Sequence, residues 1–136
     1  METMKVEAAI KVALAAILAG LTALVGNVST SVLVFLGLIV LDYATGFARA
    51  AIRGQVSSAR GAKGLLKKFM IFFAVMLAHA VDLIAGTGTL VRDAAVYFYA
   101  INEVVSIIEN VGDAGLPLPP ALTKIVATLQ KGKISR

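Results

Sequence analysis

Residues 49–68 read RAAIRGQVSSARGAKGLLKK, and the reading of this stretch divides the 136-residue chain. It holds Arg49, Arg53, Arg60, Lys63, Lys67 and Lys68, six of the thirteen basic residues, and none of the eight acidic ones. It also separates two long apolar blocks, residues 12–41 and residues 69–85, the first of which has no charged side chain. A loop of one sign between hydrophobic blocks reads as a cytoplasmic connection between membrane spans, because Lys and Arg resist translocation. In a soluble protein the same run would suggest a nucleic-acid patch. These flanks are too apolar for that, so no nucleic-acid partner is expected.

Composition agrees. Apolar residues make up 59% of the chain and its mean hydropathy is +0.89, beyond what a soluble domain of this size shows. The expectation is an all-α, polytopic membrane protein, one integral domain over residues 1–136, with lipid as its solvent. There is no Cys and a single His, with no HExxH and no Gly-rich phosphate loop. Catalytic, cofactor-binding and metal-binding residues are therefore not expected, and the chain does not read as an enzyme.

As one helix, residues 12–41 would measure about 45 Å against a hydrocarbon core of about 30 Å. Gly26, Asn27, Ser29, Thr30 and Ser31 form a turn-like cluster inside this run, which predicts a helical hairpin with spans over about 8–25 and 31–47. A third span is expected over 69–85 and a fourth over 94–111, with residues 49–68 as the basic loop and 121–136 as a basic tail. A cleaved signal peptide is the alternative for the N-terminus, where Lys5 and Lys11 precede the apolar run, but no small-x-small site precedes a soluble mature chain. Ala15, Ala19 and Ala23 give the first helix a face of small residues, and Gly46, Ala50 and Gly54 give the second another. Such faces let helices approach closely in lipid, within one subunit or between copies.

Charged residues inside the apolar blocks each need a partner. Asp42 is expected to pair with Arg49, seven residues on, as a structural salt bridge, with a role in conduction as the alternative. Ser57 and Ser58 read as an N-cap before a short helix leading to Lys67 and Lys68. His79 and Asp82 share a helix face; His79 reads as a satisfied core histidine rather than a proton sensor, and Asp82 is expected to pair with Arg92.

The fourth segment carries a polar stripe of Asn102, Glu103, Ser106, Glu109 and Asn110. Its apolar residues favour insertion by roughly 2.4–4.8 kcal/mol, against about 2.5–3.5 kcal/mol for one central carboxylate. The segment crosses only if other helices, other subunits or a water-filled lumen satisfy the stripe; otherwise it lies at the interface and three spans remain. The tail, with Lys124, Lys131, Lys133 and Arg136 and no acid, favours the cytoplasm, hence four spans with both termini inside. These intramembrane polar groups outnumber the partners one subunit is expected to offer, which points to oligomers or a lumen.

A longer pattern runs through the chain. Leu41-Asp42-Tyr43 with Gly46 is followed by Ser57-Ser58, Gly61, Gly64, Lys67 and Lys68, then Asp82 and Arg92. Phe98-Tyr99-Ala100-Ile101-Asn102-Glu103 with Ser106-Ile107-Ile108-Glu109-Asn110 comes next, then Gly115-Leu116-Pro117 and Pro119. In this order and spacing the chain resembles the toxin-secretion/phage-lysis holin family, over about residues 41–129. The resemblance implies a protein of the bacterial cytoplasmic membrane that assembles as a homo-oligomer and opens a lesion. An endolysin leaves through it without stable binding, and an antiholin partner is compatible with the scheme. On this reading the stripe from Asn102 to Asn110 lines or seals the pore. From the residues alone a second reading stays open, a small ion or solute channel or transporter component in which His79, Asp82 and Glu103 relay protons or bind a cation.

Overall fold

The computed structural model describes residues 1–134, all of whose regular structure is helical: α1 Glu2–Val25, α2 Thr30–Ile52, α3 Ser58–Ala85, α4 Leu90–Asp113 and α5 Pro120–Ile134. The first apolar block breaks at the expected turn. Gly26 ends α1 with φ 79° and ψ −166°, a region that side chains with a Cβ rarely enter. A Cβ there would lie 2.7 Å from the His79 ring and 2.8 Å from the Arg92 guanidinium. The α1–α2 turn is therefore seated tightly on α3 and α4.

Most of residues 49–68 is helix: the helix expected after Ser57 and Ser58 is present, but it runs without a break into the third apolar block, so the connection is far shorter than a loop over 49–68. Arg49 lies in the last turn of α2, and Arg60, Lys63, Lys67 and Lys68 belong to the opening turns of α3, leaving only residues 53–57 outside the helices. Lys and Arg are good helix formers, so a run of one charge specifies sidedness without requiring irregular backbone. Ser57 takes the N-cap position with extended backbone but makes no side-chain capping bond. Gly54 sits in the turn with φ 63° and so does not continue the helical stripe of Gly46 and Ala50.

Residues 121–136, expected as a tail, fall largely in α5, which Pro120 opens at the helix start where a missing N–H costs nothing. Lys124 and Lys131 lie on this helix; Arg136 and the side chain of Lys133 are outside the described residues.

Directions follow from contacts at the two ends. Arg92, early in α4, donates to Asn27 O before α2, while Arg49, in the last turn of α2, and Arg53, just after it, donate to Asp113 at the end of α4. Helices α2 and α4 thus run parallel over their full lengths, and α3 packs on α4 in the opposite direction. Val25, Val32, Phe35, Ile71, Val75 and Val96 form the apolar core. Helix α1 contributes only its last turn to this core, and Ala15, Ala19 and Ala23 are exposed. Its small face is thus unused within the subunit, whereas Gly46 lies against Asn110, where a Cβ would sit 3.5 Å from Nδ2.

Among the described residues three helices, α1, α2 and α3, are long and apolar enough to cross a membrane. With 24, 23 and 28 residues, each exceeds the roughly 20 needed for a hydrocarbon core of about 30 Å.

Candidate functional polar clusters

Two polar clusters bracket the apolar core. The first joins three helices through one ammonium group. Lys68 of α3 donates to Asp42 Oδ2 of α2 at 2.5 Å and also to Glu103 Oε2 of α4. From α4, Asn110 Nδ2 donates to Asp42 Oδ1 at 3.1 Å and Thr45 Oγ1 at 3.3 Å. Asp42, Glu103 and Asn110 are each at least nine-tenths buried. A lone buried carboxylate would cost several kcal/mol; two carboxylates around one ammonium, with an amide on a remaining oxygen, offset much of that.

The second cluster lies at the opposite end of the core. Asp82, 1% exposed, accepts from Thr87 Oγ1 at 2.5 Å and from the backbone N–H groups of Val91 and Arg92 at 2.9 and 2.8 Å. These amides belong to the first turn of α4, so Asp82 caps that helix from α3 and complements its positive end. The Arg92 guanidinium points elsewhere: to Val25 O at 3.1 Å, Asn27 O at 3.0 Å and Asp93 Oδ1 at 2.8 Å. It satisfies carbonyls left free where α1 ends, and so ties the α1–α2 turn to α4.

Several expectations are corrected by this geometry. Asp42 pairs with Lys68, not Arg49; Arg49 instead reaches Asp113 at 3.2 Å. Asp82 does meet Arg92, but through the main-chain amide rather than the guanidinium. His79 is not a satisfied histidine, since its buried Nδ1 has no hydrogen-bond partner. Among the described residues the intramembrane acids Asp42, Asp82 and Glu103 find partners within the subunit, so the expected shortage of partners narrows to His79 Nδ1 and Asn102 Oδ1. The stripe on α4 divides. Glu103 and Asn110 face α2 and α3, Ser106 is half-buried, Glu109 is exposed, and Asn102 keeps a buried Oδ1 without a partner.

Sequence reasoning missed Thr45, Thr87 and the capping role of Asp82. A signal for Lys68 was present: it is the base immediately before the apolar run that begins at Phe69, and so the deepest of the series.

A family model described as the bacteriophage holin family matches residues 19–131. The chain belongs to that family. Relatives of this holin-family member include the uncharacterized protein Lmo0128 of Listeria monocytogenes, 40% identical over 103 residues, covering 76% of this chain and 74% of the relative. The uncharacterized protein BH0965 of Halalkalibacterium halodurans is 36% identical over 129 residues, 91% and 96% of the two chains. An uncharacterized 14.9 kDa protein in the nagH 3' region of Clostridium perfringens is 33% identical over 96 residues, 70% and 73%. No solved structure matches the chain. Family membership and three apolar helices together make this a membrane protein.

Lys68→Met strands two buried carboxylates and is expected to cost about 3–5 kcal/mol. Adding Asp42→Asn and Glu103→Gln to the same chain removes both stranded charges and should recover most of that loss. Thermal unfolding of the purified variants in detergent micelles checks this, and a Lys68→Met protein as stable as wild type would show that the ammonium does not hold the helices.

Proposed function

We propose that the chain is a non-enzymatic holin. It accumulates in the bacterial cytoplasmic membrane, assembles with copies of itself and opens a lesion through which a cytoplasmic endolysin leaves without binding stably. The observation that carries this reading is how polarity is distributed in a member of the holin family. Leu33, Val40, Phe47, Phe69, Phe73 and Leu77 are exposed on α2 and α3, while Asp42, Glu103 and Asn110 are turned inward. Such a subunit suits lipid on the outside. A lesion wide enough for a folded enzyme needs a polar lining, and the inward groups can supply it if α2, α3 and α4 part. The stripe of α4 then seals the closed subunit and lines the open one. The exposed Ala15, Ala19 and Ala23 face of α1 is suited to contacts between copies.

Four crossings fit this reading. Helix α4 has 24 residues, about 36 Å at 1.5 Å per residue, and lies beside α2 from end to end. Its buried Glu103 and Arg92 have partners inside the subunit, which reduces the largest cost of inserting it. The turn at residues 53–57 and the connection after α4 then share the cytoplasmic side, together with both termini. Reporter fusions after Gln55 and after Gly115 should give the same cytoplasmic signal; opposite sidedness would leave α4 at the interface and three spans.

The function itself is tested by inducible expression in a bacterium with and without a cytoplasmic muralytic enzyme. Abrupt lysis is expected only when both are present. Graded, ion-selective currents with the enzyme retained inside would instead favour a small channel.

A further inference from the structure

A cavity of about 430 Å³ opens at the basic end of the bundle, between α2, the 53–57 turn and the start of α3. Its wall includes Tyr43, Arg49, Ser57, Ser58, Arg60 and Lys68. The one acid on the wall, Asp42, is already engaged by Lys68 and Asn110. Positive charge therefore dominates the space. Among the described residues the Arg60 side chain makes no hydrogen bond or ion pair, and Arg49 shares a single 3.2 Å contact with Asp113, so both guanidinium groups retain free donors. Ser57 makes no capping bond, so the first amides of α3 add the positive end of a 28-residue helix to the same wall. Room comes from Gly61 and Gly64, where a Cβ would meet the Tyr43 hydroxyl at 3.5 Å and its ring at 3.9 Å respectively.

We propose that this cavity binds a phosphate-bearing anion. Guanidinium forks, serine hydroxyls and free helix amides together match phosphate oxygens, and the volume suits a small polar group. Two sources share that chemistry, the headgroup of an anionic phospholipid and free phosphate. The lipid is favoured by position: exposed Phe47 and Val56 lie on the same wall, where acyl chains continue from a headgroup, and basic pockets between membrane helices are suited to anionic headgroups. The inference rests on the membrane location of the chain and not on lesion formation, so failure of one leaves the other standing.

The test uses the full chain in detergent micelles, with retained ligand counted by native mass spectrometry. Probes are dioctanoyl phosphatidylglycerol, dioctanoyl phosphatidylcholine and sodium phosphate. Phosphatidylglycerol should be retained at a concentration about tenfold lower than phosphatidylcholine. Arg60→Gln should weaken that retention about fivefold, whereas Lys63→Gln, the same charge change on the same helix but off the cavity wall, should change it less than about twofold. Displacement by millimolar sodium phosphate would assign the site to phosphate itself; retention in excess phosphate would assign it to the lipid. Equal retention of the two lipids, or equal losses in Arg60→Gln and Lys63→Gln, would overturn the proposal.

Discussion

The Lys68 ammonium is the constraint on which the rest of this structure depends. It comes from α3 and is shared by a carboxylate from α2 and another from α4. Each of those acids sits in an apolar stretch where, alone, its charge would oppose both folding and insertion. One cation between them turns two liabilities into a joint that fixes how the three helices meet. The apolar core of Val32, Phe35, Ile71, Val75 and Val96 could pack in many registers, since apolar contacts in lipid are not directional. The polar joint at one end, and Asp82 with Arg92 at the other, select a single one.

That arrangement also bears on what a holin-family subunit has to do. On the proposed function, the subunit must keep its polar groups out of lipid until it assembles and still have them ready for water. Here they are closed against one another inside the bundle, while the outer faces of the helices are apolar. On the proposed account, opening exchanges buried ion pairs for hydrated ones, so the same residues serve both states. The exposed outer face of α1, unused in the subunit, leaves a helix free for contacts between copies.

Much of this was legible in the sequence. The break at Gly26 could be read because no single helix of thirty residues fits the bilayer, and because turn-forming residues cluster at one point. The inward acids were recognisable as intramembrane charges. What could not be read was which cation each acid takes. Arg49 shares a helical face with Asp42 and was the local choice, but Lys68, twenty-six residues away, is brought there only by the packing of α3 against α2 and α4. Asp82 shows the same limit. Its best donors are backbone amides at the start of another helix, and no side-chain pattern advertises them. The start of α3 after Ser57 and Ser58 was legible, but its continuity was hidden, because a basic run marks sidedness and says little about whether the helix continues unbroken into the apolar span.

The central claim, that α2 and α4 must separate for the lesion to form, can be tested by joining them. The chain has no cysteine, and Arg49 and Asp113 form an exposed contact at the ends of these helices, one worth no more than about 1 kcal/mol. In cells expressing the Arg49→Cys, Asp113→Cys protein with a muralytic enzyme, a membrane-permeant, cleavable bis-thiol reagent should bridge the pair. The account predicts that bridged cells fail to lyse, that cleavage of the linker restores lysis, and that either single-cysteine protein is unaffected. Lysis on the wild-type schedule, with the intramolecular bridge verified by mass, would contradict it.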